Sequence, residues 1–258
     1  MRELSESIPL ATTEIAAMYT AAARMEVPTE HLREQVKLAA EMAIAFDAVP
    51  DEIAESMGKV AKNYQMPVTA IRGLADAINY LDDNAISKGS DIIDFLNRTS
   101  GVVSTVAMSA QQAAALGSTL LTLGERGETA STATNAIVQK LAAATKGTKK
   151  MRAALQEIGL APEAVQKGMA ADAIGTLTKV MDGIRAMPKD QRIGIMVELI
   201  GLEHSDTLAK LVDKPEELKQ QCVTGCVQLR RRPLPTLNRQ FDRDLLSNRV
   251  GHGTRSTT

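Results

Sequence analysis

The thirteen residues from Ile71 to Asp83, IRGLADAINYLDD, contain the pattern that decides the fold. Apolar side chains recur every three or four residues, at Ile71, Leu74, Ile78 and Leu81. Polar side chains occupy the opposite side, at Arg72, Asp76, Asn79 and Asp83. This spacing predicts an amphipathic helix with one buried face.

Similar apolar stripes run through the first 221 residues and predict an all-α protein built as a bundle of short amphipathic helices. Proline fits the first turn of a helix and breaks its interior, so seven of the nine prolines mark predicted helix starts, at positions 9, 28, 50, 67, 162, 188 and 215. The predicted helices span 9–25, 29–47, 50–64, 67–82, 89–104, 110–124, 128–145, 148–158, 162–186, 189–201 and 204–213.

Residue usage divides the chain into three predicted regions. Lys146 to Lys150 form the expected seam between a helical core over residues 1–146 and a smaller helical extension over 147–221. The extension and core together hold 23 basic and 29 acidic residues, a net charge of −6. Residues 222–258 hold seven Arg and two Asp but no Lys or Ala, and they predict a basic, disordered tail.

The composition of the whole chain excludes several classes of protein. Only 2% of the 258 residues are aromatic, there is no Trp, and the net charge is −1. Nucleic-acid binders that stack bases on aromatic rings, and strongly basic binders, are therefore not indicated. A β-sandwich or barrel would need more aromatic and β-branched residues.

Neither a secretion signal nor a membrane span is predicted. The first six residues are charged and polar, where a signal peptide needs an apolar segment. The charge-free stretch between Arg98 and Glu125 is long enough to cross a bilayer, but polar residues dilute it. Ser109 and Gln112 have the spacing of a capping box, which starts a new helix in the middle of the stretch.

The residue types that usually hold metals are sparse and scattered. No second histidine or cysteine stands at helical spacing from any of the three histidines, His31, His204 and His252. Cys222 and Cys226 form a CxxxC pair, whereas a zinc site usually takes four ligands from paired motifs. We therefore predict no metal site and no cofactor.

The remaining charged and glycine-rich motifs have ordinary structural explanations. Asp82-Asp83 and Glu216-Glu217 are neighbours on a helix, which point about 100° apart and do not converge as an acid and base pair. Arg230 to Arg232 lie in the predicted tail, where we expect them to be solvated, and the prolines at 233 and 235 mean that no helix presents them. Gly124 to Gly127 predict a turn. We predict no catalytic residue and no enzymatic activity.

Five segments, in order, resemble the core domain of phage tail tape measure proteins. They are IPLATTEIAA at 8–17, KLAAEMAIAF at 37–46, LADAINYL at 74–81, DIIDFL at 91–96 and SAQQAAAL at 109–116. A weaker similarity continues through IMVELIG at 195–201, so the resemblance covers roughly residues 3–215.

The resemblance implies a structural virion component that fixes tail length. Members of this family lie extended in the tail lumen while the tail tube protein and tail assembly chaperones build around them in the host cytoplasm, and they leave with the genome. Baseplate proteins are further implied partners, self-association is open, and neither a specific nucleic acid nor a membrane is expected as a partner. The family core carries no catalytic residues.

Two further expectations concern origin and alternatives. The chain enters the family core within eight residues and ends soon after it, which suggests a truncated or rearranged prophage gene whose last 37 residues come from another reading frame or a joined sequence. The alternative function is an α-helical interaction or regulatory module of bacterial origin.

Overall fold

The computed structural model describes residues 11–25, 27–46 and 48–227, and within those ranges it contains helices and no strands. The helices are α1 (Thr12–Arg24), α2 (Thr29–Ala45), α3 (Pro50–Asn63), α4 (Val68–Asn84), α5 (Gly89–Val103), α6 (Ala110–Thr122), α7 (Gly127–Ala142), α8 (Lys149–Glu157), α9 (Pro162–Ala171), α10 (Ala173–Ala186), α11 (Lys189–Ile200), α12 (Leu202–Asp213) and α13 (Pro215–Val227). A single 3₁₀ turn, Ala144–Lys146, separates α7 from α8. The predicted all-α class is confirmed.

Proline marks the starts of helices as the sequence predicts. Pro50 and Pro162 occupy the first turn of α3 and α9, and Pro215 is the first residue of α13. The capping positions of α2, α4 and α11 are taken by Pro28, Pro67 and Pro188. The fixed φ of proline suits these positions, and its missing N–H removes a donor that the helix start would leave unpaired. Pro9 lies outside the described residues.

The charge-free stretch between Arg98 and Glu125 is divided between two helices. The N–H of Gln112 donates to Ser109 Oγ at 3.2 Å, and the N–H of Ser109 donates to Gln112 Oε1 at 2.9 Å. This reciprocal pair satisfies two backbone donors at the start of α6 and confirms the predicted capping box.

The single helix predicted over 162–186 is wrong, because the chain breaks at Asp172. The φ of −156° and ψ of 89° at Asp172 lie outside the helical region, and its Oδ1 accepts the N–H of Gly175 at 2.9 Å to cap α10. The connection between α5 and α6 supports the break: the Ala107 N–H donates to the Met169 carbonyl at 2.9 Å, and the Ala107 carbonyl accepts the Ala173 N–H at 3.1 Å. These bonds replace intrahelical ones with partners more than sixty residues away.

The buried face of α4 contains the predicted stripe but is wider than expected. Ile71, Leu74, Ile78 and Leu81 are all buried, as predicted. Asn79, which was expected on the polar side, is only 5% exposed and belongs to the interior. The reason is that α4 packs against α2, α5, α6 and α13, so that more than one side of it is covered.

The interior consists of a large hydrophobic core and a small one. The main core extends from Leu38 in α2 to Leu218 in α13, with α5, α6 and α7 packed together at its centre. Phe95 is fully buried there, and its ring lies directly against the backbone of Gly117, where a β-carbon would overlap it. The N-terminal cluster joins α1, α2 and α3 and consists of Ile15, Met18, Ala22, Val36, Ala39, Ala40 and Ala54.

The C-terminal helix returns to the first half of the chain. α13 packs against α6 and α4, and Leu218 on it is fully buried in the main core. The division into a core over 1–146 and an extension over 147–221 stays a prediction, and the main core contains residues from both ranges. α13 is absent from the predicted helices, the last of which is 204–213, although Pro215 predicts a helix start. It continues to Val227, beyond the predicted tail boundary at residue 221, because extending an existing helix adds backbone bonds without a new nucleation step. The rest of the predicted tail, 228–258, lies outside the described residues.

Candidate functional site

The predicted metal-ligating residue types are placed on separate elements. His31 is in α2 and His204 is in α12, while His252 lies outside the described residues. In the ranges that the structure describes, there is no group of three or more His, Cys, Asp or Glu side chains that could hold a metal ion. The absence of a metal, cofactor or catalytic site from the whole chain stays a prediction.

Both cysteines lie in the last part of α13, at positions that the sequence analysis assigned to the tail. Cys222 is half-buried and packs against the main core. The backbone of Cys226 belongs to the last turn of the same helix. The side chain of Cys226 lies outside the described part of the chain. The predicted absence of a zinc site at the CxxxC pair therefore stays a prediction.

Three of the four adjacent carboxylates, Asp82, Glu216 and Glu217, accept hydrogen bonds at or near the start of a helix. Asp82 Oδ1 accepts the N–H of Gly89, the first residue of α5, and thereby caps that helix. Glu216 accepts a bond from Lys219 at 3.3 Å, and Glu217 accepts one from Gln221 at 2.9 Å. Negative charge at a helix start also interacts favourably with the helix dipole. Arg230 to Arg232 lie outside the described residues.

The turn predicted at Gly124 to Gly127 contains a buried carboxylate that the sequence did not reveal. Gly124 adopts a φ of +85°, which favours glycine, and so allows the chain to reverse. Glu125 is 9% exposed and accepts bonds from Thr207 Oγ1 at 3.1 Å and Lys210 Nζ at 2.8 Å. The bond to Glu125 raises the pKa of Lys210. Glu125 and Lys210 are 85 positions apart, and no local pattern links them.

A second lysine contact attaches α11 to α7. Lys140 Nζ on α7 donates to the Ile200 carbonyl at 2.6 Å. Ile200 is the last residue of α11, where carbonyl groups lack intrahelical partners. Lys140 and Glu125 together attach α11 and α12 to the helices α6 and α7, and their role is therefore structural.

Three charged residues meet where α2 packs against α4. Arg72 and Glu41 form an ion pair at 3.4 Å, and Asp76 Oδ1 is buried without a hydrogen-bond partner in the described part of the chain. Burial raises the pKa of Asp76 to about 6, the neighbouring Glu41 adds to this rise, and Arg72 opposes it. A carboxyl group with a perturbed pKa is a common mark of a functional site, but structural clusters show the same property.

Open grooves on the surface of the described residues include the following two. One, of about 450 Å³, lies between the α3–α4 connection and the start of α6, and Tyr64, Gln65, Ser104 and Gln111 are among its lining residues. The Tyr64 hydroxyl is buried without a hydrogen-bond partner in the described residues, and burial raises the pKa of Tyr64. The other groove, of about 290 Å³, lies beside the start of α8 and includes Lys146, Met151 and Glu198. Neither lining includes a histidine or a cysteine.

None of the described helices is both long enough and apolar enough to cross a membrane. The longest described helices have 17 residues. The charge-free stretch between Arg98 and Glu125 does not form a longer one, because it is divided between α5 and α6.

Comparisons with known proteins give a consistent assignment. The family model described as "Phage-related minor tail protein" matches residues 1–201. The chain is 30% identical over 179 residues to a protein named "Probable tape measure protein" from Halomonas phage phiHAP-1. That alignment covers 69% of this chain and 21% of the relative, so the chain spans about a fifth of the relative's length. No solved structure matches the chain.

These matches bear out the family predicted from the sequence and do not favour the alternative of a bacterial regulatory module. The match extends through α11 and so includes most of the main core described above. The chain belongs to the phage-related minor tail protein family.

Proposed function

We propose that this chain is the folded core region of a tape measure protein and that it contributes to tail length. The observation that carries the proposal is the 30% identity over 179 residues to a probable tape measure protein. The order of the five quoted segments, from 8–17 to 109–116, gives the same assignment. The chain acts without enzymatic activity, as a component of the tail lumen in the virion and of assembly intermediates in the host cytoplasm.

The proposed role can be compared with the dimensions of the segment in its folded and extended forms. In the folded form, a bundle of this size has a radius of gyration of about 17 Å. With its helical segments laid end to end, residues 11–227 would reach up to about 330 Å at about 1.5 Å per residue. A length-setting role therefore requires the segment to extend during assembly, and the two states differ enough to be distinguished in micrographs.

The implied partners are proteins that assemble around such a segment. They are the tail tube protein, the tail assembly chaperones and the baseplate proteins, as the resemblance implies. An extended helix of this chain would present the apolar stripes of α4 and its neighbours, which the folded bundle buries. Chaperones that cover apolar surface would fit that state, because exposed apolar stripes otherwise associate.

Deletion and duplication in the phage that encodes the chain test the proposal. We expect an in-frame deletion of residues 11–227 to shorten tails by about 330 Å, and an in-frame duplication to lengthen them by the same amount, as measured by negative-stain microscopy. A duplication of the same number of residues in a tail fibre gene is the control for a burden on assembly. Normal tails of unchanged length in both variants would reject the proposal.

A further inference from the structure

A run of thirteen residues carries positive charge only. Residues 140–152, KLAAATKGTKKMR, contain Lys140, Lys146, Lys149, Lys150 and Arg152 and no Asp or Glu. We refer to these five residues as the basic strip. The strip stands out because residues 1–221 as a whole have 23 basic and 29 acidic residues.

The fold places the basic strip on the surface. All five of its side chains are exposed. On α8, Met151, Ala154 and Leu155 form the buried face, while Lys149 and Arg152 are one turn apart on the outer side. Thr148 caps α8 by accepting the Met151 N–H at 3.2 Å, and the positive end of the helix dipole adds to the local potential.

The charges of the basic strip are not neutralised within the described part of the chain. Lys146, Lys149, Lys150 and Arg152 form no ion pair there, and Lys140 donates to a neutral carbonyl. Elsewhere on the surface, exposed lysines do pair with carboxylates, as Lys59 does with Glu55 at 2.5 Å. Glu198 is the carboxylate that lines the groove beside the strip. The five positive charges of the strip and the negative charge of Glu198 together give a net charge of +4.

We propose that the basic strip binds the phosphate backbone of double-stranded nucleic acid without reading its sequence. Lysine is depleted from protein–protein interfaces, whereas arginine and aromatic residues are enriched there. The strip has four lysines, one arginine and no aromatic residue, which disfavours an acidic protein as its partner. Single-stranded nucleic acid is commonly held by stacking on aromatic side chains, which residues 140–152 lack. Lysine ammonium groups suit phosphates as point charges, without fixed geometry.

The test measures binding of the full chain to a fluorescent 24-base-pair duplex by anisotropy. Four phosphate contacts predict that affinity falls about a hundredfold between 50 and 200 mM salt. The strip variant carries Lys146→Gln, Lys149→Gln, Lys150→Gln and Arg152→Gln, and we expect it to bind at least tenfold more weakly at 50 mM salt. The control variant makes the same change of charge at four other exposed, unpaired lysines, Lys62→Gln, Lys88→Gln, Lys179→Gln and Lys189→Gln, and we expect a loss of no more than about threefold.

Other outcomes overturn the proposal. Equal losses in the two variants would assign binding to net charge, and undiminished binding by the strip variant would assign it to the arginines of residues 228–258, which both variants retain. Binding of the full chain to poly-glutamate that equals its binding to the duplex would indicate an acidic protein partner instead. Circular dichroism checks that both variants are folded. Tail length plays no part in the measurement, so its outcome is independent of the proposed length role.

Discussion

The two hydrophobic clusters of the protein are built from different side chains. The N-terminal cluster of α1, α2 and α3 has seven buried residues, of which four are alanines. The main core contains Phe95, Leu96, Ile92 and Ile93 on α5 alone, all at 2% exposure or less. The free energy of burial scales with the apolar area removed from water, so each residue of the N-terminal cluster contributes less.

Because the two clusters bury different apolar side chains, we expect the free energy of local unfolding to differ along the chain. α2 and α3 contribute residues to both clusters, whereas the buried residues of α1, which are Ile15, Met18 and Ala22, belong to the N-terminal cluster alone. We therefore expect α1 to detach without opening the main core, because local opening of this kind costs less than global unfolding.

A matched pair of methionines gives the largest expected contrast. Met181 on α10 and Met18 on α1 are both fully buried, one in each cluster. We expect Met181→Ala to lower the free energy of global unfolding by about 2–5 kcal/mol, because it leaves a cavity in the main core. Met18→Ala should instead speed hydrogen exchange of the α1 amides and leave the protection of α5–α7 nearly unchanged.

Chemical denaturation followed by far-UV circular dichroism measures the first effect, and hydrogen exchange with mass spectrometry measures the second. Met187→Ala, a partly buried position beside the main core, is the control for loss of a methionine without a full cavity. Equal losses of global stability from Met18→Ala and Met181→Ala would show that the two clusters unfold as one unit.

Two helical glycines offer a smaller contrast. A β-carbon at Gly117 would overlap the Phe95 ring in the main core, while one at Gly58 would lie 2.9 Å from Met25 Cγ beside the N-terminal cluster. The ring is held on all sides and the methionine chain can rotate, so we expect Gly117→Ala to destabilise by about 1–3 kcal/mol and Gly58→Ala by less than about 1 kcal/mol.

Thermal melting of the two glycine variants measures this difference. Gly101 on α5 has no neighbour within 4 Å of a built β-carbon, and Gly101→Ala serves as the control. That change should raise stability by about 0.5–1 kcal/mol, because alanine loses less backbone freedom in a helix. A melting temperature of Gly117→Ala at or above that of the unchanged protein would show that the contact with Phe95 is loose.

The smallest expected effect is a pH dependence at the junction of α2 and α4. Burial raises the pKa of Asp76 to about 6 from its ordinary value of 3.8. Between these values the folded state binds more protons than the unfolded state, so this group makes stability fall as the pH rises from about 4 to about 6. Asp76→Asn should therefore raise the melting temperature at pH 7.5, and the gain should shrink towards zero near pH 4.

Melting curves recorded from pH 4 to 7.5 would check this dependence. Asp91→Asn, which removes an exposed carboxylate in the first turn of α5, is the control. A gain from Asp76→Asn that is constant across the range would exclude titration of Asp76 as its cause.

Much of the fold follows from local patterns. The period of apolar residues predicts the buried stripe of α4, and the prolines predict where six described helices begin, because both effects operate within a few residues. Ser109 and Gln112 form the predicted capping box for the same reason. The family also follows from the sequence, since it rests on the order of short segments.

Contacts between distant residues could not be predicted in this way. The break at Asp172 depends on backbone bonds to Ala107, and the buried position of Asn79 depends on how many helices surround α4. Glu125 looks like an ordinary turn residue until Lys210 and Thr207 are brought to it. The sequence predicts a junction between two helical regions at residues 146–150. Only the structure shows that the basic side chains there are exposed together and form a charged surface.

Most of the helices, most of their boundaries and the family follow from the sequence alone, because helix formation depends on neighbours three or four positions away. The sequence merges α9 with α10 and leaves α13 out of the predicted helices. The tertiary structure alone decided the pairing of Glu125 with Lys210, the two unequal clusters and the return of α13 to α4 and α6. These features depend on which helix faces meet, and many arrangements of the same stripes would bury similar apolar area. Close packing, such as that of Phe95 on Gly117, selects among them.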